Sequence, residues 1–133
     1  MTDRERRERV ANRFRIAQER LDDARLLLER GSEHGAVNRL YYACLAAVSA
    51  VLLDRGVTVG SHTSARGQFG LHIVKPGMVE TRYAALFRTL SDLRSEVDYD
   101  DFPEIQFPEV ERLAIDTGAM IAALHALSRE GPR

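Results

Sequence analysis

Apolar residues recur along this chain at steps of three and four almost from end to end, the spacing that lines up one face of an α-helix. The first stripe runs through Val10, Phe14, Ala17, Leu21, Ala24 and Leu28, with Arg13, Arg20, Asp22, Asp23 and Arg30 on its far side. It predicts an amphipathic helix that closes at Gly31, a residue suited to the left-handed position after a helix end. Ser32 stands where the next N-cap is wanted. Leu40, Cys44, Ala47 and Val51 then form one apolar face and Tyr41, Leu45, Val48 and Leu52 another, so Leu40 to Leu53 must be buried nearly all round. This is the expected central helix, ended by Gly56 and followed by an extended link, Val57 to Gly60. Ser61 to Ser64 offer caps for a shorter helix that stops at Lys75-Pro76-Gly77. Tyr83, Leu86, Phe87, Leu90, Leu93 and Val97 mark another long helix, and Asp98 to Phe107, acidic and proline-bearing, reads as a loop. Pro108 suits a first helical turn, Glu109 and Glu111 suit its positive end, and Val110, Leu113, Thr117, Met120, Leu124 and Leu127 carry the last stripe towards Gly131-Pro132. No strand alternation and no repeat interrupts the pattern. The expected fold is all-α: an antiparallel up-and-down bundle of four long helices, with one short helix between the second and third.

A chain of 133 residues is one ordinary domain, taken here as residues 1–133, with enough length to bury a core. Its 19 basic and 20 acidic residues leave a formal charge of −1, which excludes a globally basic nucleic-acid binder and confines any such role to one face. The longest apolar run, Ala43 to Leu53 broken only by Ser49, is short for a hydrocarbon layer of about 30 Å. Met1 to Arg7 is charged and lacks the apolar core of a secretory signal. The single cysteine, Cys44, lies inside the apolar helix and is expected to be a small buried hydrophobe in a reducing compartment. These features predict a cytoplasmic protein without a membrane segment.

Candidate chemistry lies in polar groups that the pattern forces against apolar surface. Arg39 shares a helix face with Tyr42, Ala43 and Ala46, so its guanidinium is expected at the edge of a buried surface with Asp98 as its partner. That arrangement reads either as an ion pair locking two helices together or as a site for an anion or ribose phosphate. Tyr41 and Tyr42 point about 100° apart on a helix, so at least one ring is core; Tyr41 is assigned to packing and Tyr42 to a polar cluster. His62, just before a helix start, is a capping or hydrogen-bonding group or an acid or base active near neutral pH. His34, His72 and His125 have no comparable setting and no three ligands show zinc-like spacing, so neither a metal nor a cofactor is expected.

Three pieces, Asn38-Arg39-Leu40-Tyr41-Tyr42-Ala43, Ser61-His62 and Arg94-Ser95-Glu96-Val97-Asp98-Tyr99, occur in an order that resembles a HEPN domain over roughly Leu26 to Leu124. In particular the chain resembles the small stand-alone HEPN proteins of bacteria and archaea, and the resemblance implies the same helical bundle. HEPN ribonucleases carry an arginine and a histidine with four to six residues between them near a late helix. Arg94 stands in the place of that arginine, but Asp98-Tyr99 stands where a histidine and tyrosine would be sought. Two other pairs, Arg55 with His62 and Arg66 with His72, fit the spacing in the wrong elements. Aspartate, with a solution pKa of about 4, is a weak base for removing a ribose hydroxyl proton. His62 and Arg94 are therefore the candidates for catalysis, and Arg39, Tyr42, Asp98 and Tyr99 for holding a nucleotide or phosphate. The resemblance implies a two-gene, toxin-antitoxin-like module with a small nucleotidyltransferase partner that modifies a tyrosine, the position of Tyr99. A metal-independent RNase with a variant motif and a dimeric interaction module without catalysis are the alternatives. Apolar stripes on five segments and the pairing habit of HEPN domains predict a homodimer, and the arginines predict weak binding of nucleotides or single-stranded RNA.

Overall fold

The computed structural model describes residues 1–60, 62–101 and 104–130, with the side chains of all of these except 62, 63, 129 and 130. Its elements are α1 (Asp3–Glu29), α2 (Glu33–Asp54), α3 (His62–Phe69), a π-helical turn (Gly70–Val74), α4 (Arg82–Tyr99) and α5 (Phe107–Glu130), with no strand among the described residues. The all-α bundle of four long helices and one short one is thus the observed fold. Helix α1 begins two turns before its apolar stripe because Thr2 caps it. The Thr2 hydroxyl accepts from the Glu5 backbone N–H at 3.1 Å and Glu5 Oε2 accepts from the Thr2 N–H at 3.2 Å, a reciprocal pair spelled by Thr2-Asp3-Arg4-Glu5 that the periodicity alone does not reveal. Ser32 occupies the N-cap of α2 as expected, but its side chain makes no capping bond.

Helices α1 and α2 end alike. Gly31 and Gly56 adopt φ of +79° and +75°, which lets the residue after each glycine donate back to the helix, Ser32 N to Leu27 O at 2.8 Å and Val57 N to Leu52 O at 2.9 Å. The short link after Gly31 turns α2 back along α1. The all-round apolarity of α2 is explained by its place, since it packs on α1, α5 and α4 at once. Leu40, Tyr41, Ala43, Cys44, Ala47, Val48, Val51 and Leu52 are all buried, and each large side chain contributes about 1.5–3 kcal/mol by leaving water. At 22 residues α2 is longer than the run Ala43 to Leu53 suggested, and by length and composition alone it could cross a membrane; 61% of its most apolar window is instead buried inside the bundle.

Helix α5 runs parallel to α2, as two contacts in register show: the Cys44 thiol donates to Thr117 Oγ1 at 3.8 Å and Arg55 Nη2 to Leu127 O at 3.5 Å. Burial pushes the Cys44 thiol up to about 12, with the Thr117 contact opposing the shift. Helix α1 lies antiparallel to both, with Arg13 Nη1 donating to Ser49 O at 3.1 Å and Phe14 stacked on His125 at 4.7 Å. The bundle is squeezed along the α2–α5 diagonal, while α4 leans on α2 and touches α5 only sparingly. Helix α3 sits beside the N-terminal half of α4. The buried residues Ala65 and Phe69 of α3 and Ile73 beyond it recur at unbroken steps of four, which a helix of 3.6 residues per turn lets drift off the core. The π-helical turn from Gly70 takes up that drift, closed by Lys75 N to Gly70 O at 2.8 Å.

Candidate functional site

The polar centre of the structure is Arg94, three-quarters of the way along α4 and pointed at α2. Its guanidinium carbon lies 4.6 Å from the centroid of the Tyr41 ring and 5.9 Å from that of Tyr42. Its Nη1 donates to Asp98 Oδ2 at 3.2 Å, one turn further along the same helix. With one-quarter of its side chain exposed, at 25%, Arg94 is desolvated enough for both contacts to matter yet reachable from outside. The Nε atom is buried and has no hydrogen-bond partner among the described residues, as expected of a guanidinium laid over an aromatic face.

The platform beneath Arg94 is rigid. Tyr41 is 1% exposed and its ring meets Tyr42 edge-on at 5.0 Å and Phe87 in a stack at 5.8 Å. Burial raises the Tyr41 hydroxyl above its usual value, the charges of Arg94 and Arg66 pull it down, and Tyr42 pushes it up. Arg66 comes from α3 and its Nη1 donates to Ser91 Oγ at 3.1 Å, so two guanidinium groups from different helices converge near the tyrosine pair. Tyr42 is half-buried and its far side lines a groove of about 490 Å³ with Arg13, Arg20, Ile16, Leu45 and Val59.

The residues expected to form one site are only partly assembled. Tyr42, Arg94 and Asp98 do come together, and Tyr41, assigned to packing, is the ring that carries Arg94. Arg39 is not at the edge of that surface and does not pair with Asp98. It is exposed beside the end of α1, where it lines a shallow depression with Asp23, Leu26, Leu27 and Arg30. Position 39 faces α1 because α2 presents its Tyr41 side to α4, about 200° away on the helical wheel. Tyr99, the last residue of α4, is 88% exposed. His62 opens α3, and its side chain lies outside the described residues, as does Ser61. Arg66 and Ser91 were not singled out as site residues; the sequence holds a partial signal, since Arg88, Ser91 and Arg94 follow at steps of three on α4, but nothing in it places α3 opposite them.

An all-α bundle with this arginine-on-tyrosine centre between its second and fourth helices belongs to a recognisable class. A family model described as the HEPN domain matches residues 10–127, and the chain belongs to the HEPN family. Among curated proteins it is 36% identical over 97 residues to a UPF0332 protein of Thermotoga maritima, covering 73% of this chain and 74% of that one. It is 38% identical over 88 residues to a UPF0332 protein of Pyrococcus horikoshii, covering 65% of this chain and 62% of that one. A Methanocaldococcus jannaschii protein named "Putative toxin" is 32% identical over 93 residues, covering 70% and 69%.

Proposed function

We propose that this protein is the HEPN component of a toxin-antitoxin-like module, that it contacts nucleotides or single-stranded RNA through the cluster around Arg94, and that its partner is a small nucleotidyltransferase. The observation that carries the reading is Arg94 held over Tyr41 and Tyr42, a cation and a half-buried ring at an accessible edge, with the hydroxyl-bearing Tyr99 exposed just beyond Asp98. The family membership and the name of the Methanocaldococcus relative support the toxin-like role. The protein acts as a homodimer in this reading, and Tyr99 is the residue that receives a nucleotidyl group.

Cleavage is not the favoured activity. An aspartate is a weak base for a ribose hydroxyl, and Asp98 is already engaged by Arg94 on its own helix. The test uses the purified full-length protein with a labelled single-stranded RNA in EDTA, and a pull-down from the native host with mass spectrometry of the Tyr99 peptide. Salt-sensitive binding lost in Arg94→Ala, little or no cleavage, and a nucleotidyltransferase in the pull-down are expected. Cleavage in EDTA that disappears in His62→Ala would overturn this in favour of a metal-independent RNase. No RNA binding even at low salt would remove the Arg94 site altogether.

A further inference from the structure

Next to the Arg94 cluster, helices α3 and α4 enclose an open groove of about 560 Å³ whose walls are basic and whose lining contains no carboxylate. Arg66 stands on the α3 bank, Arg82 and Arg88 on the α4 bank, and the floor is made by Ala84 and Ala85 above the buried rings of Phe69 and Phe87. Arg66 spends one donor on Ser91. Arg82 is neutralised by Glu80 and lies over its neighbour Tyr83. Arg88 is exposed and has no ion-pair partner among the described residues. Holding like charges together in a groove costs free energy unless an anion joins them, so the lining itself selects for negative charge.

The shape narrows the anion further. Arg66 lines the groove with Arg88 and its charge also reaches Tyr41, the ring beneath Arg94, so the guanidinium groups of Arg88, Arg66 and Arg94 link the groove to the proposed site. One phosphate engages one or two of these guanidinium groups; an extended phosphodiester chain engages them in succession. The floor also lacks the deep pocket that an anchor side chain of an acidic protein helix needs, because Phe69 and Phe87 are both 1% exposed and only alanine methyls face outward.

We propose that the α3–α4 groove is a backbone-binding channel for single-stranded nucleic acid, in which Arg66 and Arg88 hold phosphates and lead the strand to the Arg94–Tyr42 platform. This rests on the proposed contact with RNA and extends it to a second set of residues. Gly67, exposed on the α3 bank, supplies a clean probe: a Cβ built there meets nothing within 4 Å, so Gly67→Glu introduces a negative charge into the channel without crowding the fold.

The experiment follows binding of a short fluorescein-labelled oligouridylate to the full-length protein by anisotropy across a salt series, with thermal unfolding as the check that each variant is folded. Arg88→Ala is expected to weaken binding about three- to tenfold and to flatten the salt dependence by about one counterion. Gly67→Glu should weaken binding at least as much, while Gly67→Ala leaves it unchanged. If folded Arg88→Ala and Gly67→Glu bind as wild type while Arg94→Ala does not, the channel is wrong and the Arg94 site stands. If the groove variants lose binding and Arg94→Ala keeps it, the channel stands and the Arg94 reading fails. Absence of binding by wild type overturns both. Competition by uridine monophosphate as effective as by the oligomer, phosphate for phosphate, would replace the channel with a mononucleotide site.

Discussion

Replacing Arg94 by alanine separates what this residue does for the fold from what it does for a ligand. Its place over the tyrosine pair and its ion pair with Asp98 are both lost. The guanidinium over Tyr41 at 4.6 Å is partly desolvated, for which a cation–π contact contributes about 1 kcal/mol. The ion pair with Asp98 joins side chains 25% and 39% exposed, so after solvent screening it adds about 0.5 kcal/mol at most. Arg94→Ala should therefore cost about 1–2 kcal/mol, roughly a 3–8 °C drop in Tm for a domain of this size. The sharper measurement is a double-mutant cycle with Tyr41→Leu, chosen because leucine keeps much of the buried volume beside Phe87. Urea unfolding of the four proteins, followed by circular dichroism, should return a coupling of about 1 kcal/mol that persists in high salt, whereas Asp98→Asn should change stability by less than about 0.5 kcal/mol and only at low salt. A coupling below about 0.3 kcal/mol would refute the stacked arrangement and, with it, the argument that Arg94 is held in place for a ligand.

Three further outcomes test other parts of the structure. Cys44, fully buried with its thiol pushed up to about 12, keeps its proton in the folded state while the unfolded thiol loses it near pH 8.5. The stability it supports is complete below that pH and is lost as pH rises towards 12, so Cys44→Ala should flatten the alkaline loss seen in urea titrations; an unchanged slope would contradict its burial. Thr2→Ala removes the cap of a helix end that is mostly exposed, and hydrogen exchange should show the first turn of α1 fraying while global stability falls by no more than about 1 kcal/mol. Leu40→Ala, at a site with 0% exposure in the helix that touches four others, should cost about 2–5 kcal/mol in the same urea assay, and a loss under 1 kcal/mol would mean that α2 is not the central helix.

Helix number, the buried character of α2 and the glycine ends at Gly31 and Gly56 were legible in the chain because each depends on residues within a few positions of one another. A stripe at steps of three and four demands a helix whatever it packs against, and a helix apolar on every side has to lie in the middle. Even the π-helical turn left a trace in the steps of four from Ala65 to Ile73, and the cap at Thr2 in its glutamate three residues on. What the helices face is another matter, since a stripe records that a partner exists and not which one. Only the packed structure decides that α5 lies parallel against α2, that Arg39 looks towards α1 while Arg94 lies on Tyr41, and that Arg66 crosses from α3 to Ser91. Each of these joins residues tens of positions apart through the mutual fit of side chains on separate helices, a pairwise property that periodicity along one strand of sequence does not carry.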